Sequence, residues 1–138
     1  MFEQDYLMRM IAELIAGMRR SMERATGLRD PRGAAAMLEA AVGDAAEMDA
    51  EALLSLAPGS IADVLAVTGV DPHVTEYLAR SLALAGRYRA EAGEADLAAL
   101  RQAQARAIAE AWGHDLGDDA ADPASVEAFL ARAERGGA

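Results

Sequence analysis

The sequence predicts an all-α fold. It is one domain over residues 1–138, an array of about seven helices with an antiparallel helical hairpin. Three observations carry that expectation. Hydrophobic residues make up 53% of the chain but aromatics only 4%, with alanine a large share, and small side chains suit closely packed helices. No stretch alternates apolar and polar residues with β-branched side chains, so no sheet is expected. Finally, Asp-Pro recurs at Asp30-Pro31, Asp71-Pro72 and Asp122-Pro123. Aspartate accepts hydrogen bonds from the free amides of a helix start, and proline suits the first helical position, where its missing N–H would go unpaired.

The elements follow in order. The first helix spans about 3–25. At 100° per residue, Leu7, Ile11, Leu14, Ile15, Met18 and Met22 share one face, and Met8 widens it. So broad a stripe suits contact with two helices. Its inner residues should cover the hairpin, leaving the Met8–Ile15–Met22 edge to a partner. Gly17 falls off this face and has no role in the pattern. The second helix begins at Asp30-Pro31 and should stop at Gly43, giving 31–42. Asp44 with Glu47, and Ser60 with Asp63, resemble capping boxes. They place the third helix at 45–56 and the fourth at 61–68. Gly69, Gly93, Gly113 and Gly136 read as stops. The fifth and sixth helices, 72–92 and 95–112, form the hairpin across Gly93-Glu94. On one, Val74, Leu78, Ser81, Leu82 and Ala85 share a face; on the other, Leu97, Leu100, Gln104, Ile108 and Ala111 do. The seventh spans 123–134.

Composition narrows the function. The net charge of −10 and the scatter of the 13 basic residues, all arginine, argue against a nucleic-acid partner. Charges interrupt the apolar run of the first helix, which excludes a secretory leader there, and no segment reaches the roughly 18 apolar residues of a membrane span. There is no cysteine, which removes thiolate chemistry and fits a reducing compartment, so a cytoplasmic location is expected. From Gly33 to Ala79 there are eight acids and no base. That run reads as a solvated face, with an internal match to arginine or a basic partner as alternatives.

Two constellations invite chemistry. His73, Tyr77, Arg80 and Arg87 form a stripe beside the apolar face of the fifth helix. A neutral His at a helix N-terminus with Tyr and Arg could bind a small anion, or act on one. The plain alternative is a polar margin with Glu76–Arg80 as an i,i+4 pair. The loop from His114 to Asp122 is acidic, but it lacks the alternating acids, central glycine and closing glutamate of a calcium loop. His114 suits the end of the preceding helix, and no metal or cofactor is expected. Phosphate loops, dinucleotide fingerprints, nucleophile elbows and zinc-helix motifs are absent from the sequence.

Two resemblances follow from particular residues. Leu84-Ala85-Gly86-Arg87-Tyr88 is similar to the Leu-Gly-x-x-Tyr of a tetratricopeptide unit, with Ala for Gly. Ser81 stands where that repeat carries Trp, the second helix lacks its large aromatic, and Trp112-Gly113 replaces the closing Pro. One copy covers about a third of the chain, so the likeness is one of shape. The stretch Phe2-x-x-Asp5-Tyr6-Leu7-Met8-Arg9-x-Ile11 resembles the first helix of a group of small, uncharacterised bacterial all-helical proteins that continue into such hairpins. The resemblance implies an intracellular helical protein and brings no catalytic residues. The expectation is therefore a non-enzymatic scaffold or protein-interaction module, self-associating as a homodimer through Leu7, Met8, Ile11, Leu14, Ile15, Met18 and Met22. The alternative is an anion binder or minor enzyme using the His73–Tyr77–Arg80–Arg87 stripe.

Overall fold

The computed structural model describes residues 2–136, with side chains from Gln4 onward. Met1 and the side chains of Phe2 and Glu3, part of the first-helix motif, lie outside the described residues, as do 137 and 138. Among the described residues there are seven helices and no strand. They are α1 (Phe2–Gly27), α2 (Pro31–Ala46), α3 (Ala50–Leu54), α4 (Pro58–Thr68), α5 (Pro72–Glu91), α6 (Ala95–Trp112) and α7 (Pro123–Gly136).

Each Asp-Pro step opens a helix as the sequence predicts. Asp30 accepts from the Gly33 amide at 2.9 Å, and Asp71 from that of His73 at 2.8 Å. Asp122 reaches the Ser125 amide at 3.4 Å. These amides, helped by Arg24 at Asp30, hold the Asp30 and Asp71 carboxyls below the ordinary aspartate range. The stops at Gly69, Gly93 and Gly113 are left-handed, with φ of 79°, 81° and 71°.

The middle of the chain departs from the pattern. α2 does not stop at Gly43; it runs three residues further and ends at Glu47, itself left-handed with φ 56°. Gly43 is buried within the helix, and a Cβ there would lie 2.7 Å from the Cβ of Ala50. The glycine serves as a crossing point, not a stop. The longer α2 leaves α3 only five residues, capped by Asp49 through the Ala52 amide at 3.0 Å instead of by an Asp44–Glu47 box. α4 likewise starts at Pro58, three residues before the expected position, with Ala57 as a cap that offers no side-chain acceptor. Ser60 therefore sits inside the helix and forms no capping box.

α5 is the central helix, buried without a break from Ser81 to Gly86. It pairs antiparallel with α6 on one side and packs against α2 and α1 on others. Two apolar clusters share it. One joins Leu14, Val42, Leu53, Ile61, Leu78 and Ile108. The other joins Ile15, Met18, Leu38, Leu84, Tyr88 and Leu130. Each such Leu or Ile contributes about 1.5–3 kcal/mol by burial. The expected α5 stripe, Val74, Leu78, Ser81, Leu82 and Ala85, is buried. Ser81 Oγ has no hydrogen-bond partner.

α6 is rotated relative to the stripe the sequence suggests. Its buried residues are Ala98, Arg101, Gln104, Ala105, Ile108 and Ala109, while Leu97 and Leu100 are half-exposed and Ala111 is exposed. The rotation follows from a polar knot. Arg101 donates to Glu39 through Nε at 2.7 Å, and through Nη1 to the Leu54 carbonyl at 2.9 Å and Gln104 Oε1 at 3.0 Å. Gln104 Nε2 donates to the carbonyls of Leu54 and Leu56. Those carbonyls end the short α3, so α6 side chains do the work of its C-cap. Arg89 from α5 completes the knot by binding Glu39 and, at 2.8 Å, Glu94.

Candidate protein-interaction surface

The candidate interface residues divide by depth. Leu14, Ile15 and Met18 are buried. Leu7, Ile11 and Met22 are half-buried, and Met8 is 46% exposed. The expected outward edge of Met8, Ile15 and Met22 is therefore corrected at two of its three positions. Ile15 and Met22 belong to the second core cluster, with Val126 and Leu130 of α7. The reason is that α7 is amphipathic and docks there, an outcome that the spacing within α1 alone could not reveal.

An ion-pair clasp holds α7 in place. Arg19 donates through its two terminal nitrogens to Glu127 and Glu134, two turns apart on α7. These bonds hold the Arg19 guanidinium above its ordinary basicity. Beside the clasp lies an open groove of about 330 Å³ between α1 and α7, lined by Met8, Ile11, Ala12, Ile15, Ala16 and Ala133. Its centre is alanine and the Arg19–Glu134 pair closes one end, so a second helix could approach closely at the middle.

The opposite flank of α1 places Gly17 in a helix crossing, where a Cβ would make only an ordinary contact. It is buried, and a Cβ there would lie 3.6 Å from the Cβ of Ala41, where α1 crosses α2. Ser21, one turn on, is also fully buried and donates to the Met18 carbonyl at 2.7 Å. A contact face made of Gly and Ser carries no hydrophobic signal. The sequence did contain its spacing, small residues at i and i+4.

The His/Tyr/Arg stripe is divided by the structure. Tyr77 and Arg80 meet over Phe129 of α7: the rings of Tyr77 and Phe129 are 5.4 Å apart, and the Arg80 guanidinium stands 4.1 Å from the Phe129 centroid. Arg80 also pairs with Glu76 at 3.1 Å. Burial and the neighbouring Glu76 raise the Tyr77 hydroxyl above its ordinary range. Arg87 pairs with Glu91 one turn further on. His73 is exposed and lies 3.0 Å from its own cap, Asp71. Arg80 and Arg87 thus lie apart from the depression that His73 and Tyr77 share with Ile11, Glu76 and His114.

His114 follows the left-handed Gly113, its amide bonded to the Ala109 carbonyl. Its ring Nε2 lies 2.8 Å from Thr75 Oγ1, which donates its single hydroxyl hydrogen to the Pro72 carbonyl. A carbonyl only accepts, so Nε2 of His114 must be the donor to Thr75. In the following loop, Asp115 caps the Gly117 amide and Asp119 accepts from the Ser125 hydroxyl. Among the described residues no three His, Asp or Glu side chains converge as metal ligands, and no helix is long and apolar enough to cross a membrane.

The acidic run does have an internal match, but not on α1. Glu39 turns inward to Arg89 and Arg101, while Asp49 and Asp71 serve as caps. Asp44, Glu47, Glu51 and Asp63 are exposed. Comparison with protein-family models, with curated proteins and with solved structures found no match.

Proposed function

We propose that the chain is a non-enzymatic helical scaffold that works through protein contacts and self-associates, with the outward face of α1 as its contact surface. The observation that carries this reading is the open apolar groove beside Met8, bounded by Ala12 and Ala16. A groove of this kind accepts an amphipathic helix. The exposed methionine suits it as well, since an unbranched thioether adapts to the surface it meets. The antiparallel α5–α6 pair, with its tetratricopeptide-like shape, acts as the rigid support. The likeness of α1 to the first helix of small bacterial helical proteins belongs to the same reading, as does a cytoplasmic setting.

The test is light scattering of the purified chain over a wide concentration range. A concentration-dependent dimer is expected. Met8→Glu, on an exposed side chain, should shift the association at least tenfold without altering the helical circular dichroism. A monomer at every concentration, with no protein bound, would sink the proposal.

A further inference from the structure

The charge of this molecule is unevenly placed. The chain carries −10, yet α1 holds four acids (Glu3, Asp5, Glu13, Glu23) and four arginines (Arg9, Arg19, Arg20, Arg24). The whole net charge therefore resides outside α1. The excess lies in residues 31–71 and in the loop 113–122; two copies repel there, whereas their α1 helices can face one another without net repulsion.

The charges along α1 are also ordered. Asp5 lies toward one end of the outward face and Arg19 toward the other, with Met8, Ala12 and Ala16 between them; Arg20 stands next to Arg19 on the flank nearer α2. Among the ion pairs of the described residues none engages Asp5, Arg9 or Arg20. Reversing such a helix against itself places acid opposite base and the methionine opposite alanine. A parallel arrangement would instead stack like charge on like charge.

We infer that a second copy of this chain covers the α1 groove, as an antiparallel α1–α1 pair about a two-fold axis at Ala12. This rests on the self-association proposed above and adds its register. In that register Met8 fills the space over the partner's Ala16, and Asp5 lies level with the partner's Arg19 and Arg20. The two Ala12 residues meet on the axis, where small side chains let helix axes approach to about 8 Å. The contact is isologous, so it closes at two copies and leaves no free end to extend.

The absence of cysteine from the sequence makes the register directly measurable. Single variants Ala12→Cys, Met8→Cys and Ala16→Cys, with Ala99→Cys on exposed α6 as control, are oxidised mildly as intact chains. A disulfide needs Cα atoms within about 7 Å. Ala12→Cys is expected to cross-link to itself at least tenfold faster than the control. Met8→Cys alone and Ala16→Cys alone sit about 12 Å from their own copies across the axis, at 1.5 Å rise per residue. Each should match the control, whereas the two mixed should cross-link as fast as Ala12→Cys. Independently, Asp5→Arg and Arg20→Asp should each weaken the dimer about tenfold, and together restore it.

Sedimentation of the unmodified chain separates the two levels of the proposal. A monomer there overturns self-association itself. A dimer in which Ala12→Cys reacts no faster than the control, or in which Met8→Cys or Ala16→Cys alone cross-links to itself, overturns the register while leaving self-association standing.

Discussion

The molecule contains the same ionic motif twice, with the signs exchanged. At the rim, Arg19 of α1 is held by two glutamates of α7, and the three side chains are 32%, 51% and 49% exposed. In the interior, Glu39 of α2 is held by two arginines, Arg89 and Arg101, at 12% and 8% exposure, the glutamate itself at 11%. Water screens the first cluster, so its pairs contribute at most about 1 kcal/mol each. The second has lost its water, and its charges depend on one another. A cluster of that kind adds little net stability, but it is costly to break. The rim motif fastens a peripheral helix; the interior motif fixes the relative placement of four.

The sharpest way to break this contrast is Glu39→Ala. It leaves two guanidinium groups buried without their shared carboxylate, and should cost about 3–5 kcal/mol in urea unfolding. A loss below 1 kcal/mol would show that the interior cluster behaves like the rim. Next comes Gln104→Ala. It strips a donor from the carbonyls of Leu54 and Leu56 and should cost about 1–3 kcal/mol. Hydrogen exchange should report faster opening of α3 in particular.

Arg19→Ala should cost about 1 kcal/mol or less and loosen α7 alone. Its effect should shrink with added salt, whereas that of Glu39→Ala should not. The smallest effect concerns Glu94, whose carboxyl the Arg89 guanidinium holds below the ordinary glutamate range. A carboxyl depressed in the folded state stabilises above its unfolded value, and that contribution is lost as pH falls through the folded one. Acid titration of stability should therefore be slightly shallower in Glu94→Gln, with the variant slightly less stable at neutral pH and the difference gone in acid.

What the sequence displayed and what it concealed divide along a physical line. Asp30, Asp71 and Asp122 act on amides two or three residues away, and Gly69, Gly93 and Gly113 set their own φ. Such local chemistry is legible in a single chain. Gly43 looks the same in sequence, but its role is set by Ala50, which approaches it across a turn. Pro58 was missed because no aspartate precedes it. Arg101 and Gln104 lie on the buried face of α6 because their partners are the carboxylate of α2 and the carbonyls ending α3, 47 to 62 residues away in sequence. Gln104 within an otherwise apolar stripe was the one available hint. The proposed contact surface was half legible: the apolar face of α1 was evident, but which part α7 would cover depended on where a helix more than a hundred residues later docks.

The three Asp-Pro steps have a consequence for handling the protein as a chemical. An aspartyl carboxyl can attack its own peptide carbonyl, and the tertiary amide of a following proline is a good leaving group once protonated. Such bonds are therefore weak points in warm acid. Here each one lies at a joint between helices. While the fold is intact, capping amides occupy all three aspartates and hold Asp30 and Asp71 ionised. Once acid unfolds the chain, hydrolysis should release 1–30, 31–71, 72–122 and 123–138. Those pieces are α1, the α2–α4 segment, the intact α5–α6 hairpin and α7. The chain is thus marked for dissection along its own architecture, and warm acid can separate α1 from the helices it packs against.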